Sequence, residues 1–297
     1  TNPMEMNFSE EEYLAIGRDL VAHNHAEKAM PYLDKCLLLN KRNAESWLQK
    51  GYCFQVLNNH TDAIACLSES IFILSDYSEA YYHRAISYTA LKEYAKAGSD
   101  FNASINSGGA NYDKYIGLAH VLYEQKLYEA CNNICDNIRA EILFDDHSAY
   151  RYKYNCLVKL GQFEELTEIA EKQLMVSSQF AEYNNDVGNS WLLRENYPRA
   201  LKWFDIAISH DPEFSLSLNN KGWVLFKMGY YDKAYDMFCQ AIFYNPSDSL
   251  PYINRALYYL QVGVADKART DLLKARELGH AINYDSEANQ LLHQHFN

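Results

Sequence analysis

The sequence predicts an all-α fold, a solenoid of stacked helix–turn–helix units, and two observations predict it. The first is a 34-residue period running almost end to end. Gly188, Gly222 and Ala256 lie one 34-residue step apart, as do Trp191, Leu225 and Tyr259. Ala200, Ala234 and Ala268 keep the step, followed by Phe204, Phe238 and Leu272, then Ala207, Ala241 and Ala275. A period of this length marks a stacked array in which each unit buries its apolar face against its neighbours. The second observation is that each period holds two apolar stripes at helical spacing with a short turn between them. In the unit from Ser215, Leu218, Leu225 and Phe226 form the first stripe around Gly222. Met228-Gly229-Tyr230 makes the turn, and Ala234, Phe238, Ala241 and Ile242 form the second stripe. Gly222 and Ala234 are small because two helices approach closely there, and large residues fill the space on either side.

Taken in order, residues 1–9 read as a disordered leading segment. Eight units then begin at Glu10, Ala44, Ser78, Asn111, His147, Ala181, Ser215 and Ser249, with steps of 34, 34, 33, 36, 34, 34 and 34. Units one to four occupy residues 10–146 and units five to eight residues 147–282. Residues 283–297 read as a capping helix with Ala288, Leu291 and Leu292 facing inward and Asp285 or Ser286 as its N-cap,. Pro31 falls inside the second helix of unit one, where it removes a donor and is expected to bend the helix,. Pro198 and Pro251 sit near helix starts, where proline is tolerated,. Gly108-Gly109 fits a helix C-cap,. Unit four carries Leu118 at the small position and Ile142 where proline would close the unit. Unit five carries Tyr154 and Leu166 at its two small positions. Both are expected to pack less closely, with a kink near Glu141 to His147.

Unit two keeps Trp47, Gly51, Phe54, Ala63 and Leu67, and unit three keeps Tyr81, Ala85, Tyr88, Ala97 and Phe101. With Pro212 and Pro246 closing two later units, this resembles the tetratricopeptide repeat family over roughly Glu10 to Ile282,. The resemblance implies a right-handed superhelix with a concave groove lined by first helices. It further implies a non-enzymatic scaffold or adaptor that binds an extended segment of a protein partner. An assembly subunit working through its ends or convex face, or an ancillary subunit of an enzyme, is the alternative.

Composition narrows the partners. The 297-residue chain has a formal net charge of −12, which argues against a nucleic-acid backbone or an anionic membrane as the main partner,. No stretch approaches a membrane span, and the first residues carry neither the basic nor the apolar region of a signal peptide. Seven cysteines in no pairwise pattern read as buried thiols of a reducing, cytoplasmic compartment,. His23 with His25, His293 with His295, and Cys131 with Cys135 are too few for a metal site, and no metal or cofactor is expected,. The acidic runs Glu10-Glu11-Glu12 and Asp145-Asp146 read as helix N-terminal charges,. There is no phosphate loop, nucleophile elbow or metalloprotease motif, and eight repeats leave no room for a catalytic domain.

In the family this chain resembles, the groove is lined by the second, fifth, sixth, ninth, twelfth and thirteenth residues of each unit, steps that keep to one helical face. Carried over, these positions give Asn185 and Asn219 (fifth), Asn220 and Asn254 (sixth), and Asn155 and Asn189 (ninth). An asparagine amide offers a donor and an acceptor and so matches one peptide unit of an extended chain. The same asparagines equally serve contacts between helices. Trp223, Tyr152, Phe226 and Leu257 add apolar pockets, and Arg151, Lys159 and Lys227 offer charge for a carboxylate. The front half is aromatic at Tyr52, Tyr82, Tyr112, Tyr115 and Tyr123, with Glu11, Glu45 and Glu79 at the second position. The acids complement helix dipoles, and as a binding feature they imply a basic stretch on the partner. The Lys-plus-Asn carboxylate clamp of some family members is absent in that form, since Leu14 and Arg18 stand in its places; Arg151 with Asn155 repeats the basic-plus-Asn spacing and keeps a weaker version open.

Overall fold

Eight turns set the register of the repeats. In the computed structural model, which describes residues 8–109, 111–141, 147–176, 180–280 and 287–296, Asn24, Asn58, Lys92, Lys126, Gly161, Glu195, Gly229 and Gly263 all adopt positive φ, between 56° and 82°. Each stands at the fifteenth position of its unit. The pattern closes the first helix by a Schellman arrangement: Asn24 N–H donates to Val21 O (3.0 Å) and His25 N–H to Leu20 O (2.8 Å),. The same pair of bonds recurs at Asn58-Asn59, Lys92-Glu93, Lys126-Leu127, Glu195-Asn196, Gly229-Tyr230 and Gly263-Val264.

Two helices flank each turn. The first helices are α1 (Glu10–Ala22), α3 (Ala44–Val56), α5 (Ser78–Ala90), α7 (Tyr112–Glu124), α9 (His147–Leu160), α11 (Ala181–Leu193), α13 (Ser215–Lys227) and α15 (Leu250–Gln261). The second helices are α2 (Ala26–Leu39), α4 (His60–Ile73), α6 (Tyr94–Gly108), α8 (Tyr128–Glu141), α10 (Phe163–Val176), α12 (Tyr197–His210), α14 (Tyr231–Tyr244) and α16 (Ala265–Ala275). A π-helical turn, Arg276–His280, precedes α17 (Glu287–Phe296). The all-α helix–turn–helix array is the one the sequence predicts.

Several local readings change. Unit four begins at Tyr112, because Asn111 is the N-cap and accepts from Lys114 N–H at 3.0 Å. Its small residue is therefore Ala119, fully buried, rather than Leu118. Ser9, placed by the sequence in a disordered leader, closes a capping box on α1 with Glu12,. The helix α2 runs unbroken through Pro31. Gly109 is the C-cap of α6 with φ 78°, as expected. Tyr154 and Leu166 are buried, 5% and 0% exposed, and Ala170 stands where other repeats carry a large residue. Ile142, Asp145, Asp146, Asp285, Ser286 and most of the expected kink lie outside the described residues.

The chain divides into two compact units, Thr1–Leu160 and Gly161–Asn297. Within each, a hairpin closes where a small residue on the first helix meets a large one on the second. A Cβ added at Gly17 would lie 2.7 Å from Leu33 Cδ2, and one at Gly188 the same distance from Phe204. In the first unit a further tie repeats: Cys36 Sγ–H, Ser70 Oγ–H and Ser104 Oγ–H donate to the carbonyls of Glu10, Ala44 and Ser78 that open their own hairpins. First helices also touch the next first helix, α1 with α3, α3 with α5, α5 with α7 and α7 with α9, and in the second unit α11 with α13 and α13 with α15. That closer approach puts the first helices on the inner side of each array.

Candidate functional surface

Because the first helices line the inner side, their outward positions define the candidate site. The asparagines divide into two layers there. Asn185 and Asn219, at the fifth position, are buried at 2% and 3% exposure. Asn185 Oδ1 accepts from Ser217 Oγ–H and from Asn220 Nδ2–H, each at 3.1 Å. Asn219 Oδ1 accepts from Asn254 Nδ2–H at 2.9 Å. The fifth-position residue of one repeat thus anchors the sixth-position residue of the next. Asn220 and Asn254 are the half-buried outer members, and Asn155 and Asn189, at the ninth position, are half-buried too. As ligand groups Asn185 and Asn219 are therefore replaced by their partners, since burial and repeat-to-repeat bonding occupy them.

Beside Asn220 the aromatic group is ordered by stacking. Trp223 and Phe226 lie nearly parallel, with centroids 5.7 Å apart at 8°. Lys227 Nζ sits 4.7 Å from the Trp223 ring centre, and Phe226 meets Tyr231 edge-on. In the first unit Arg151 is set over aromatic rings. Its guanidinium lies over Tyr150 and Tyr154, 4.9 and 5.3 Å from their ring centres,. Tyr152 shares a hydrogen bond with His120 Nδ1 at 3.1 Å. Lys159 is exposed.

The front half builds a different surface. Tyr82 is half-buried, edge-on to His83 and Phe101. Tyr52 packs edge-on to His83 from the preceding repeat. His83 Nδ1 is 3.0 Å from Gln55 Oε1, and burial pushes its pKa down to about 4, so the ring is neutral,. Tyr115 does not stand at a groove position. The corrected start of α7 moves it to the fourth, and places Gly117 at the sixth, where an added Cβ would strike Phe101 at 2.4 Å. The same correction adds Asp113 to the row of Glu11, Glu45 and Glu79. The sequence reading missed Asp113 because it took Asn111 as a helical residue; an asparagine three residues before the buried Lys114 was the cap signal that could have found it.

Cys131, Cys135 and Cys156 cluster in one buried core. The Cys131 thiol is pushed up to about 12, chiefly by hydrogen bonding to Cys135. Among the described residues no group of three His, Cys, Asp or Glu side chains could hold a metal ion. Nor is any helix there long and apolar enough to cross a membrane.

Helical hairpins stacked at a fixed period, each crossing a small residue with a large one, define a helical-repeat protein. A family model of the tetratricopeptide repeat matches residues 216–248. Anaphase-promoting complex subunit 3 of Schizosaccharomyces pombe is 28% identical over 100 residues, 33% of this chain and 15% of that protein. Stress-induced-phosphoprotein 1 of Caenorhabditis elegans is 18% identical over 178 residues, 49% of this chain and 55% of that protein. The chain thus spans about half or less of the length of these relatives. The crystal structure of the APC/C hetero-tetramer Cut9-Hcn1 aligns at a TM-score of 0.55 and 15% identity, over 96% of this chain and 55% of that chain. Residues 216–248 thus match a tetratricopeptide repeat, and the chain shares the helical-repeat fold of that structure.

Proposed function

We propose that this chain is a non-catalytic interaction scaffold that holds an extended segment of a protein partner along its first-helix face. The observation that carries the reading is the two-layer asparagine relay. Asn185 and Asn219 lie beneath the surface and fix the amides of Asn220 and Asn254 by their NH₂ groups. Each outer amide keeps its oxygen as an acceptor for a backbone N–H, already oriented and so cheap to engage. Trp223 and Phe226 supply a flat apolar platform alongside, and Lys227 a neighbouring charge. Two of the similar proteins belong by name to a multi-subunit complex, which is where an interaction scaffold would stand. No nucleic acid and no cofactor enters this reading.

The test is affinity capture from lysate of the source cells with three proteins. These are the wild type, the triple variant Asn220→Ala/Trp223→Ala/Asn254→Ala, and Phe243→Ser on the exposed second-helix side. Far-UV circular dichroism should show equal helicity in all three. A partner kept by wild type and Phe243→Ser but lost by the triple variant is the expected result. A partner lost only by Phe243→Ser would put the interaction on the second-helix face and end the proposal.

A further inference from the structure

Two adjoining cavities open along the first helices of the front unit, and both are lined by Glu79. One, of about 670 Å³, has Asp76, Tyr77, Glu79, Tyr82, Asp113 and Lys114 in its walls. The other, of about 260 Å³, is lined by Val21, Leu48, Tyr52 and His83 as well as Glu79. Asp76, Glu79 and Asp113 are exposed, and none has a hydrogen-bond or ion-pair partner among the described residues. This is unlike their neighbours. Glu45 faces Arg18 at 3.2 Å, Asp34 holds Lys50 at 2.7 Å, and Asp100 holds Arg84 at 2.7 Å.

The cation in the wall, Lys114, feels the charge of Glu79 but forms no ion pair with it. Lys114 is 8% exposed. It spends its three donors on Ser78 Oγ (2.9 Å), Ser104 O (3.2 Å) and Gly109 O (2.8 Å). The neighbouring phenols are raised chiefly by burial and further by these acids. Tyr77 is pushed up to about 12 by burial first and by Glu79 and Glu45 next, and Tyr82 is raised by burial and then by Asp113. His83, neutral, adds no repelling charge to the second cavity. The carboxylates do not converge as a metal site among the described residues. The fitting cation is therefore one carried on a flexible side chain, whose stem and head can rest on a ring face.

We propose that the groove across α3, α5 and α7 binds a lysine- or arginine-bearing extended segment of a protein partner. Its cationic side chain sits between Tyr77, Tyr82 and the three unpaired carboxylates, and its neighbouring apolar residue enters the cavity beside Tyr52 and Leu48. The inference rests on the first-helix face being the ligand face and gives that ligand its chemistry.

Fluorescence anisotropy on the full chain tests it, using labelled Gly-Ser peptides of equal length that carry two lysines and two arginines, four glutamines, or four glutamates. The cationic peptide binds, with affinity falling as salt rises, and the other two do not. Glu79→Gln/Asp113→Asn weakens the cationic peptide about tenfold. Glu168→Gln/Glu171→Gln, which removes two exposed charges from α10, leaves it unchanged. Equal weakening by both variants would make the attraction mere net charge and overturn the inference. So would a response to spermine or Mg²⁺ without peptide binding. If the cationic peptide fails while a captured partner still depends on Asn220, Trp223 and Asn254, this inference falls alone and the scaffold reading stands.

Discussion

His83 shows how one residue couples the groove to pH. It lies between the Tyr52 and Tyr82 rings and is tied to Gln55, with Glu79 on the same cavity wall. Burial brings its pKa down from 6.5 to about 4. An unfolded chain keeps the ordinary value, so between these pH values the unfolded state binds a proton that the folded state refuses. The site's contribution is whole above about pH 6.5 and is lost as pH falls toward 4, an effect of about 3 kcal/mol. His83→Gln, which keeps a polar partner for Gln55, should therefore lose less stability on acidification than wild type. Urea unfolding at pH 7.5 and pH 4.5 measures this, and parallel losses in the two proteins would remove His83 as the cause. Other charged residues are matched by position. Arg84 with Asp100 and Arg255 with Asp271 form two-point ion pairs inside their hairpins, with the arginine at the seventh position of the repeat. Lys50, Lys153 and Lys221 at that same position reach back to Asp34, Asp136 and Asp205 of the preceding repeat.

At the scale of the hairpin, the space between helices outweighs local helix preference. Replacing a helical glycine by alanine ordinarily stabilises by about 1 kcal/mol. At Gly222 the added Cβ would lie 2.7 Å from Phe238 Cε1 and 3.0 Å from Met237 Cβ, against a ring that is fully buried. The strain of such overpacking is about 1–3 kcal/mol, so Gly222→Ala should lower stability. At Gly98 the nearest atom is Val121 Cγ2 at 3.6 Å, ordinary contact. Gly98→Ala should raise stability by up to about 1 kcal/mol. Thermal and urea unfolding of the pair gives opposite signs if crossing geometry decides, and the same sign if propensity does. This small-against-large code is also why the array was legible in the sequence: Gly17, Gly51, Gly188 and Gly222 recur because each faces a bulky partner. The start of α7 was less legible, since Asn111 fits both a cap and a first helical residue, and one residue of slip hid Asp113. The depth of the asparagines was not legible at all. Periodicity assigns a residue to a face, but Asn185 and Asn219 lie on the edge of that face turned toward the next repeat, where burial depends on the neighbour's approach.

At the scale of the whole chain, stability in a repeat array is a sum of local terms and nearest-neighbour interfaces. The outward apolar face of each hairpin then needs a cover. In the second unit α17 provides it: Leu292 is buried in one core with Tyr259, Leu272 and Ala275, and Leu291 and Phe296 pack against that core. Removing α17 uncovers these residues, and the apolar surface of two leucines and a phenylalanine is worth roughly 3–5 kcal/mol. Because the coupling is between neighbours, the loss should stay near the end. A chain ending at His280 is expected to lose amide hydrogen-exchange protection in α15 and α16, while α1 to α6 keep theirs. Protection lost evenly from α1 to α16 would mean instead that the array opens as a single cooperative block, and α17 would then be a keystone of the whole chain rather than a local cap.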